Sequence, residues 1–373
     1  MCASTRLARP RRCGGGALFP GVIATQTRKQ LMTRKPSRPT VATIARDLGI
    51  SPATVSYALN DKPGVSAAMR ERVVGHAHEV GWTPHSGAQA LRRGRSGNIG
   101  LVLVRDPEEV SREPFYSAVT AGIESSTSVH GYELMIRFVR GGADAESDVF
   151  RTWSHQRRVD GVVLLDLAED DHRPAVLEAL TMDFAVLGHY SGPESFAKVM
   201  TAEADDARTV VEHIIERGYD GCIQLTGPAQ YAHERRRLEL LRSLCQEYRI
   251  PHSTASGPYT IDSGLAAFEA SDLLLSSRPA VVASSDLIAI GALRGAQRRG
   301  VAVPEQLGLV SWDDSLIAEL TVPSVTALAR RPFEMGRLAG DLLVRQIEDA
   351  GTPRTELQVE PASLIIREST GGL

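Results

Sequence analysis

Four cysteines and ten histidines are the first places to look for covalent or metal chemistry in this 373-residue chain. Cys2, Cys13, Cys222 and Cys245 form no C-x-x-C pair and no closely spaced even framework, so reduced thiols are expected rather than a zinc site or a disulfide scaffold. His76, His78, His213 and His233 sit in helical surroundings without ligand spacing, which makes them surface or core histidines. No G-x-x-x-x-G-K-[ST] phosphate loop, G-x-S-x-G elbow or H-E-x-x-H motif occurs. Gly94-Arg95-Ser96-Gly97 comes before its strand rather than after it, so it reads as a linker and not a dinucleotide loop. What remains are groups that recognise rather than react: arginines, carboxylates, hydroxyls and rings. Catalysis, a cofactor and a metal are therefore not expected.

Those groups are unevenly placed. The net charge of -3 splits at Asn98 into a head with 16 Lys+Arg against 4 Asp+Glu and a body with 26 against 41. A basic head on an acidic body suits a polyanionic partner for the head alone. At 42% hydrophobic and 23% charged, with no apolar run near the roughly 18 residues of a membrane span, the chain reads as globular, with two or three domains. Residues 1–36 carry Arg6, Arg9, Arg11 and Arg12, a Gly14-Gly15-Gly16 run and an apolar patch broken by Pro20. They outline a secretory leader only weakly; a disordered basic arm, or a biological start at Met32, fits the following domain better.

The elements that must position the head's groups begin at Thr40. Val41, Ile44, Ala45 and Leu48 recur at helical spacing and stop at Gly49, predicting a first helix. Ser51-Pro52 supplies an N-cap oxygen and a first-turn proline for a second helix over 52–59. A third amphipathic segment over 66–80 would complete a three-helix module around Ile44, Val55, Leu59, Val73 and Ala77. Two short helices crossed at a tight glycine turn are helix-turn-helix geometry, in which the second helix enters the major groove. The expected divisions are 1–36, a helix-turn-helix domain at 37–84, a hinge or linker at 85–97, and a body at 98–373.

The run TVATIARDLGISPATVSYALNDKPGVSAAMRERV, residues 40–73, resembles the DNA-binding head of the lactose/galactose-repressor (LacI/GalR) family of bacterial transcription regulators. The resemblance implies that Pro52, Ala53 and Tyr57 face bases, with Thr54 and Ser56 close to phosphates. It also implies that 85–95 is a hinge that turns helical on double-stranded operator DNA, with Ala88 and Leu91 on one face, Leu91 wedged into the minor groove, and Arg92, Arg93 and Arg95 along phosphates. Pro52 and Ala53 offer no side-chain hydrogen bond and Tyr57 is not a bidentate guanine reader, so deformation of the DNA should carry much of the specificity.

In the body, β-branched runs at 99–104, 132–137, 161–165, 184–188, 221–226, 280–284 and 307–311 read as buried strands separated by crossover helices. That is a parallel α/β architecture, and about 275 residues exceed one such sheet, so two lobes are expected. RPAVVASSDLIAIGAL at 278–293, VPEQLGLVSWDD at 303–314 and Met335-Gly336 extend the resemblance to the family's periplasmic-binding-protein-like sensor. By residue matching, it implies a cleft with Asp205, Arg237, Ser285, Asp313 and Phe115, suited to a polyhydroxylated effector such as a sugar. Arg237 ends an arginine run where the register could slip by one, and Trp312 stands as either cleft wall or core. Asp286, next to Ser285, reads as helix capping at least as well as ligand contact. No apolar heptads follow 365–373, so a homodimer is expected, in the cytoplasm with its DNA and without membrane contact. The alternative is a secreted solute-binding protein of a sugar transporter, which would have no use for residues 40–97. Leu91→Ala should weaken operator binding far more than non-specific DNA binding in gel shifts at fixed salt; equal losses would count against the wedge.

Overall fold

The computed structural model describes residues 39–83, 94–190, 196–271, 277–349 and 355–371, and divides into two compact units, Met1–Pro84 and His85–Leu373. The first unit holds helices α1 (Val41–Leu48), α2 (Pro52–Leu59) and α3 (Ala67–Glu79). Each starts on a hydroxyl cap: Thr40 accepts from the Thr43 amide, Ser51 from Thr54 and Ser66 from Met69. Each such cap is worth about 1 kcal/mol. Gly49 ends α1 at φ 68, a conformation that costs glycine nothing and makes the turn into α2 possible. Ile44, Val55 and Val73, one from each helix, are fully buried together with Ala45, Ala58 and Ala77.

The second unit is two parallel sheets. Its strands in chain order are β1 (Asn98–Leu103), β2 (Glu133–Phe138), β3 (Gly161–Leu164), β4 (Asp183–Leu187), β5 (Ala197–Met200), β6 (Gly221–Thr226), β7 (His252–Ser256), β8 (Pro279–Ala283), β9 (Gly308–Ser311), β10 (Thr326–Ala329), β11 (Glu356–Gln358) and β12 (Ser363–Ile365). The first lobe's sheet has the order β11-β5-β4-β3-β1-β2 and the second's β12-β10-β9-β8-β6-β7; only the β10–β12 pairing is antiparallel. The two sheets exchange strands at one edge. The chain passes between lobes at 201–202, at 330–331 and at 359–362.

Alternation along β1 explains the first lobe's two cores. Ile99, Leu101 and Leu103 pack on one face against Val119 and Ile123 of helix Pro114–Thr127 and Leu342 and Leu343 of helix Pro332–Glu348. Val102 packs on the other against Phe150 and Trp153 of helix Gly142–His155. A parallel strand buried on both faces must be apolar throughout, which is why these runs stood out in the sequence. The second lobe repeats the plan, with Val281 and Ile223 on one side and Val282 and Cys222 on the other.

Helices Pro114–Thr127 and Pro332–Glu348 touch through glycines: a Cβ on Gly122 would lie 2.0 Å from the Phe333 carbonyl oxygen, and one on Gly336 2.1 Å from that of Val119. Alanine normally stabilises a helix by about 1 kcal/mol over glycine. Gly122→Ala should do the reverse, costing about 1–3 kcal/mol through overpacking and lowering the melting temperature. Gly75→Ala in α3, where nothing lies within 4 Å, should not destabilise. A raised melting temperature for Gly122→Ala would refute the close approach.

Candidate functional site

Two surfaces carry recognition chemistry, one in each unit. In the first, Pro52, Ala53 and Tyr57 form the exposed face of α2, with Thr54 and Ser56 half-buried beside them and Val55 and Ala58 turned into the core. Tyr57 is 45% exposed, a large outlay of apolar surface on so small a domain, and its ring lies 5.6 Å from the Lys62 ammonium. Ser51 takes the Thr54 amide with its hydroxyl and the Val55 amide with its carbonyl, and Pro52 has no N–H, so the first turn of α2 is already satisfied apart from Ala53. Ala88, Leu91, Arg92 and Arg93 lie outside the described residues. Arg95 donates to the Ile347 carbonyl at 2.5 Å within the second unit, so it is held there by its own chain.

In the second unit the carboxyl ends of both sheets open onto one cleft, where open α/β sheets place ligands. Glu234 is its buried hub. The carboxylate accepts from the Gly227 amide at 2.8 Å, the Ser284 hydroxyl at 2.7 Å and the Tyr259 hydroxyl at 2.7 Å, and from Arg237 at 3.3 Å. Arg237 also donates to Glu203 at 3.2 Å, and its guanidinium lies over the Trp312 ring at 5.2 Å. Burial opposes the charge on Arg237, but Glu203 and Glu234 more than compensate, so it stays firmly protonated.

Two further arginines join the lobes. Arg105, beyond β1, pairs with Asp166 at 3.6 Å and sits 5.4 Å from the Tyr116 ring of its own lobe. It lies 5.1 Å and 4.9 Å from the rings of Tyr231 and Tyr259 in the other. Arg330, at a lobe crossing, holds Asp313 at 2.7 Å and lies 5.3 Å from the Phe115 ring. The Ala232 amide donates to the Leu167 carbonyl at 2.8 Å, and Arg235 pairs with Glu169, so the lobes also meet directly. Closed in this way, the lobes leave a cavity of about 70 Å³ beside Phe115, Arg237 and Asp313 and an adjoining one of about 310 Å³ along Asp166, Arg173 and Tyr231, against roughly 300–1,000 Å³ for ordinary ligand pockets. A ligand seated on Phe115 and Arg237 therefore needs more room than the first cavity gives.

Titration in the cleft departs from ordinary values. Burial is the main cause pushing Glu113 up to about 8 and Asp286 up to about 6. Burial first, then the charges of Arg237, Arg330 and Arg105, drives His233 well down; the neutral ring stacks on Tyr231 and shares a hydrogen bond with the Tyr259 hydroxyl at 2.9 Å.

Comparison with known proteins bears on both surfaces. Residues 40–85 match the model of bacterial regulatory proteins of the lacI family, and residues 211–370 that of the periplasmic binding protein-like domain. The chain is 30% identical over 340 residues to the HTH-type transcriptional regulator CelR of Thermobifida fusca, covering 89% of this chain and 98% of that protein. It belongs to the lacI family. It is 27% identical to the ribose operon repressor of Escherichia coli K12, covering 86% and 97% of the two chains. A solved complex of the regulator CelR with cellobiose superimposes with a TM-score of 0.68 at 29% identity, over 89% of this chain and 100% of that one. A lac repressor dimer bound to operator and the anti-inducer ONPF gives 0.77 at 23% identity, over 89% and 99%, a likeness of fold. As a lacI-family member the chain is a DNA-binding transcription regulator, and the family head at residues 40–85 overturns the alternative of a secreted solute-binding protein.

Of the effector residues expected by family likeness, Phe115, Arg237, Ser285 and Asp313 come together on the cleft. Two do not. Asp205 is exposed on helix Glu203–Glu216; the residue of that first turn lining the cleft is Glu203, two positions earlier, and Asp206 instead turns inward to accept from the Ala362 amide at 2.7 Å. A helix places neighbours about 100° apart, so a slip of two positions moves a side chain to another face. Trp312 is 1% exposed in the core and backs Arg237 rather than lining the cleft. Ser285 caps its helix, accepting from the Ile288 amide at 3.3 Å, so its hydroxyl is partly committed. Glu113, Asp166, Glu234, Tyr259 and Arg330 escaped sequence reading; only the i, i+3 pair Glu234–Arg237 had a readable spacing.

Glu203→Gln should lower the melting temperature and weaken any cleft ligand, because Arg237 loses a charged buried partner. Asp205→Asn should leave both within about 0.5 kcal/mol of the parent. The opposite ranking in thermal-shift titrations would restore Asp205 to the cleft.

Proposed function

We propose that the protein is a cytoplasmic, non-enzymatic repressor that binds a pseudo-palindromic operator as a homodimer and is switched by a sugar held between its lobes. The observation carrying the reading is the pairing, in one chain, of a capped helix that exposes Pro52, Ala53 and Tyr57 with a cleft gated by arginines shared between lobes. A twofold pair of heads reads a twofold DNA sequence. On the exposed face of α2, Tyr57 and the Ala53 methyl would meet base edges and methyl groups while Thr54 and Ser56 approach phosphates. The hinge carrying Ala88, Leu91 and Arg92 would supply the minor-groove wedge.

For the effector, a flat ring such as Phe115 stacks on a sugar, Arg237 donates to hydroxyls, and Asp313 accepts from them. That one relative is solved with cellobiose and others are named as ribose operon repressors supports a saccharide. Ligand that favours one degree of lobe closure shifts the pairing of two hinges, a coupling of about 1–3 kcal/mol. Removing residues 1–97 should abolish operator binding while thermal stabilisation by cellobiose or ribose persists. Operator binding by the truncated protein would refute the head's assignment, and loss of sugar response on truncation would refute the body's.

A further inference from the structure

The cleft carries more negative charge than its arginines answer. Among the described residues lining it are five carboxylates, Glu113, Asp166, Glu203, Asp286 and Asp313, against two arginines, Arg237 and Arg330. One layer back, Arg105 pairs with Asp166 and Glu234 with Arg237, which leaves the imbalance unchanged. Buried ions are ordinarily paired, because an unpaired charge in a low dielectric is costlier than a protonated group. Pairing here accounts for Asp166 with Arg105, Asp313 with Arg330, and Glu203 and Glu234 with Arg236 and Arg237. Glu113 and Asp286 are left over.

These two face the cavity from opposite lobes. Glu113 immediately precedes helix Pro114–Thr127, is 6% exposed, and its Oε2 meets no hydrogen-bond donor. Asp286 opens helix Asp286–Arg299 and is 3% exposed. Its Oδ1 accepts the Leu287 amide at 2.7 Å, while Oδ2 meets no donor. Helix capping does not explain that oxygen, since Ser285 already serves as the cap. Both line the same cavity, Glu113 from the first lobe and Asp286 from the second.

We propose that the effector is an amino sugar whose protonated amine sits between Glu113 and Asp286, an inference that rests on the sugar reading above. An ammonium brings three donors and a full charge to two acceptor oxygens, whereas a sugar hydroxyl brings one donor and no charge. It also bridges the lobes, so its binding energy is realised only when they close. Without it the cleft disposes of its surplus by protonation. Burial raises the Glu113 carboxyl most; Arg105 opposes this, and Asp166, Asp313 and Asp286 add to it. Asp286 rises through burial and the charge of Asp313, against the Ser315 hydroxyl. Arg330 and Arg237 are the other cleft cations, and His233 is neutral. Near neutral pH Glu113 therefore holds its proton, and an arriving ammonium expels it.

The test is calorimetry on the full-length protein near neutral pH, in buffers of different ionisation enthalpy. Glucosamine and its β-linked dimer are compared with glucose, cellobiose and the N-acetylated forms. The amino forms should bind at least about tenfold tighter than their neutral counterparts, with net proton release. Glu113→Gln should erase most of that preference while neutral sugars change less than about threefold, and Asp286→Asn is the second variant should the first unfold. Neutral sugars binding as tightly as amino sugars would overturn the inference and leave the sugar reading standing. No binding by any of them would overturn both, and an amine preference that survives both substitutions would overturn the placement.

Discussion

Three passages of chain between the lobes, at 201–202, 330–331 and 359–362, are the constraint from which the body's chemistry follows. They hold two parallel sheets edge to edge so that the carboxyl ends of both sets of strands face each other. A single doubly wound sheet has its ligand crevice on a solvent edge; two tied sheets enclose one. Charged side chains at the strand ends of one lobe then face those of the other across the cleft. Arg330 lies on one of these passages, reaching Asp313 in the second lobe and the Phe115 ring in the first. The hinge and the site are therefore partly the same residues, and a ligand displacing Arg330 from Phe115 acts on the hinge directly.

Charge sets the energetics of closure. Arg105 holds its charge against burial because Asp166 and the rings of Tyr116, Tyr231 and Tyr259 surround it. Such a guanidinium keeps its stabilisation only while both lobes contribute rings, so opening costs cation–π contact as well as the Leu167–Ala232 hydrogen bond. The cross-lobe clamp and a cavity of only about 70 Å³ beside Phe115 and Arg237 describe a closed body. The head obeys a simpler rule: three capped helices and six buried aliphatic side chains leave one face of α2 free for DNA.

The architecture was legible because it depends on pattern. Seven strands could be read to within a residue or so, six of them buried along nearly their whole length; Glu133–Phe138, expected to be buried, is instead a largely exposed edge strand. The helix bounds of the head follow from Gly49, Ser51 and Ser66. The strands that escaped lack that signature. His252–Ser256 is a polar edge strand, Ala197–Met200 contains Lys198, and Thr326–Ala329, Glu356–Gln358 and Ser363–Ile365 are three or four residues long. The cleft was half legible. Arg237 and Asp313 could be placed by family likeness, yet Asp205 against Glu203 turns on helix phase, and Glu113, Asp166 and Arg330 meet only through tertiary folding. Spacing in one chain cannot express a contact between residues as far apart in sequence as Phe115 and Arg330.

Linkage between cleft and operator is the central claim, and its most direct measurement is a reciprocal pair of affinities on the full-length protein. Operator affinity is measured with and without saturating cleft ligand, and ligand affinity with and without saturating operator. Thermodynamic reciprocity requires the same factor in both directions, about 5–150-fold for a coupling of the usual size, and Glu203→Gln should weaken the ligand arm. A ligand that occupies the cleft and leaves operator affinity unchanged would contradict the claim.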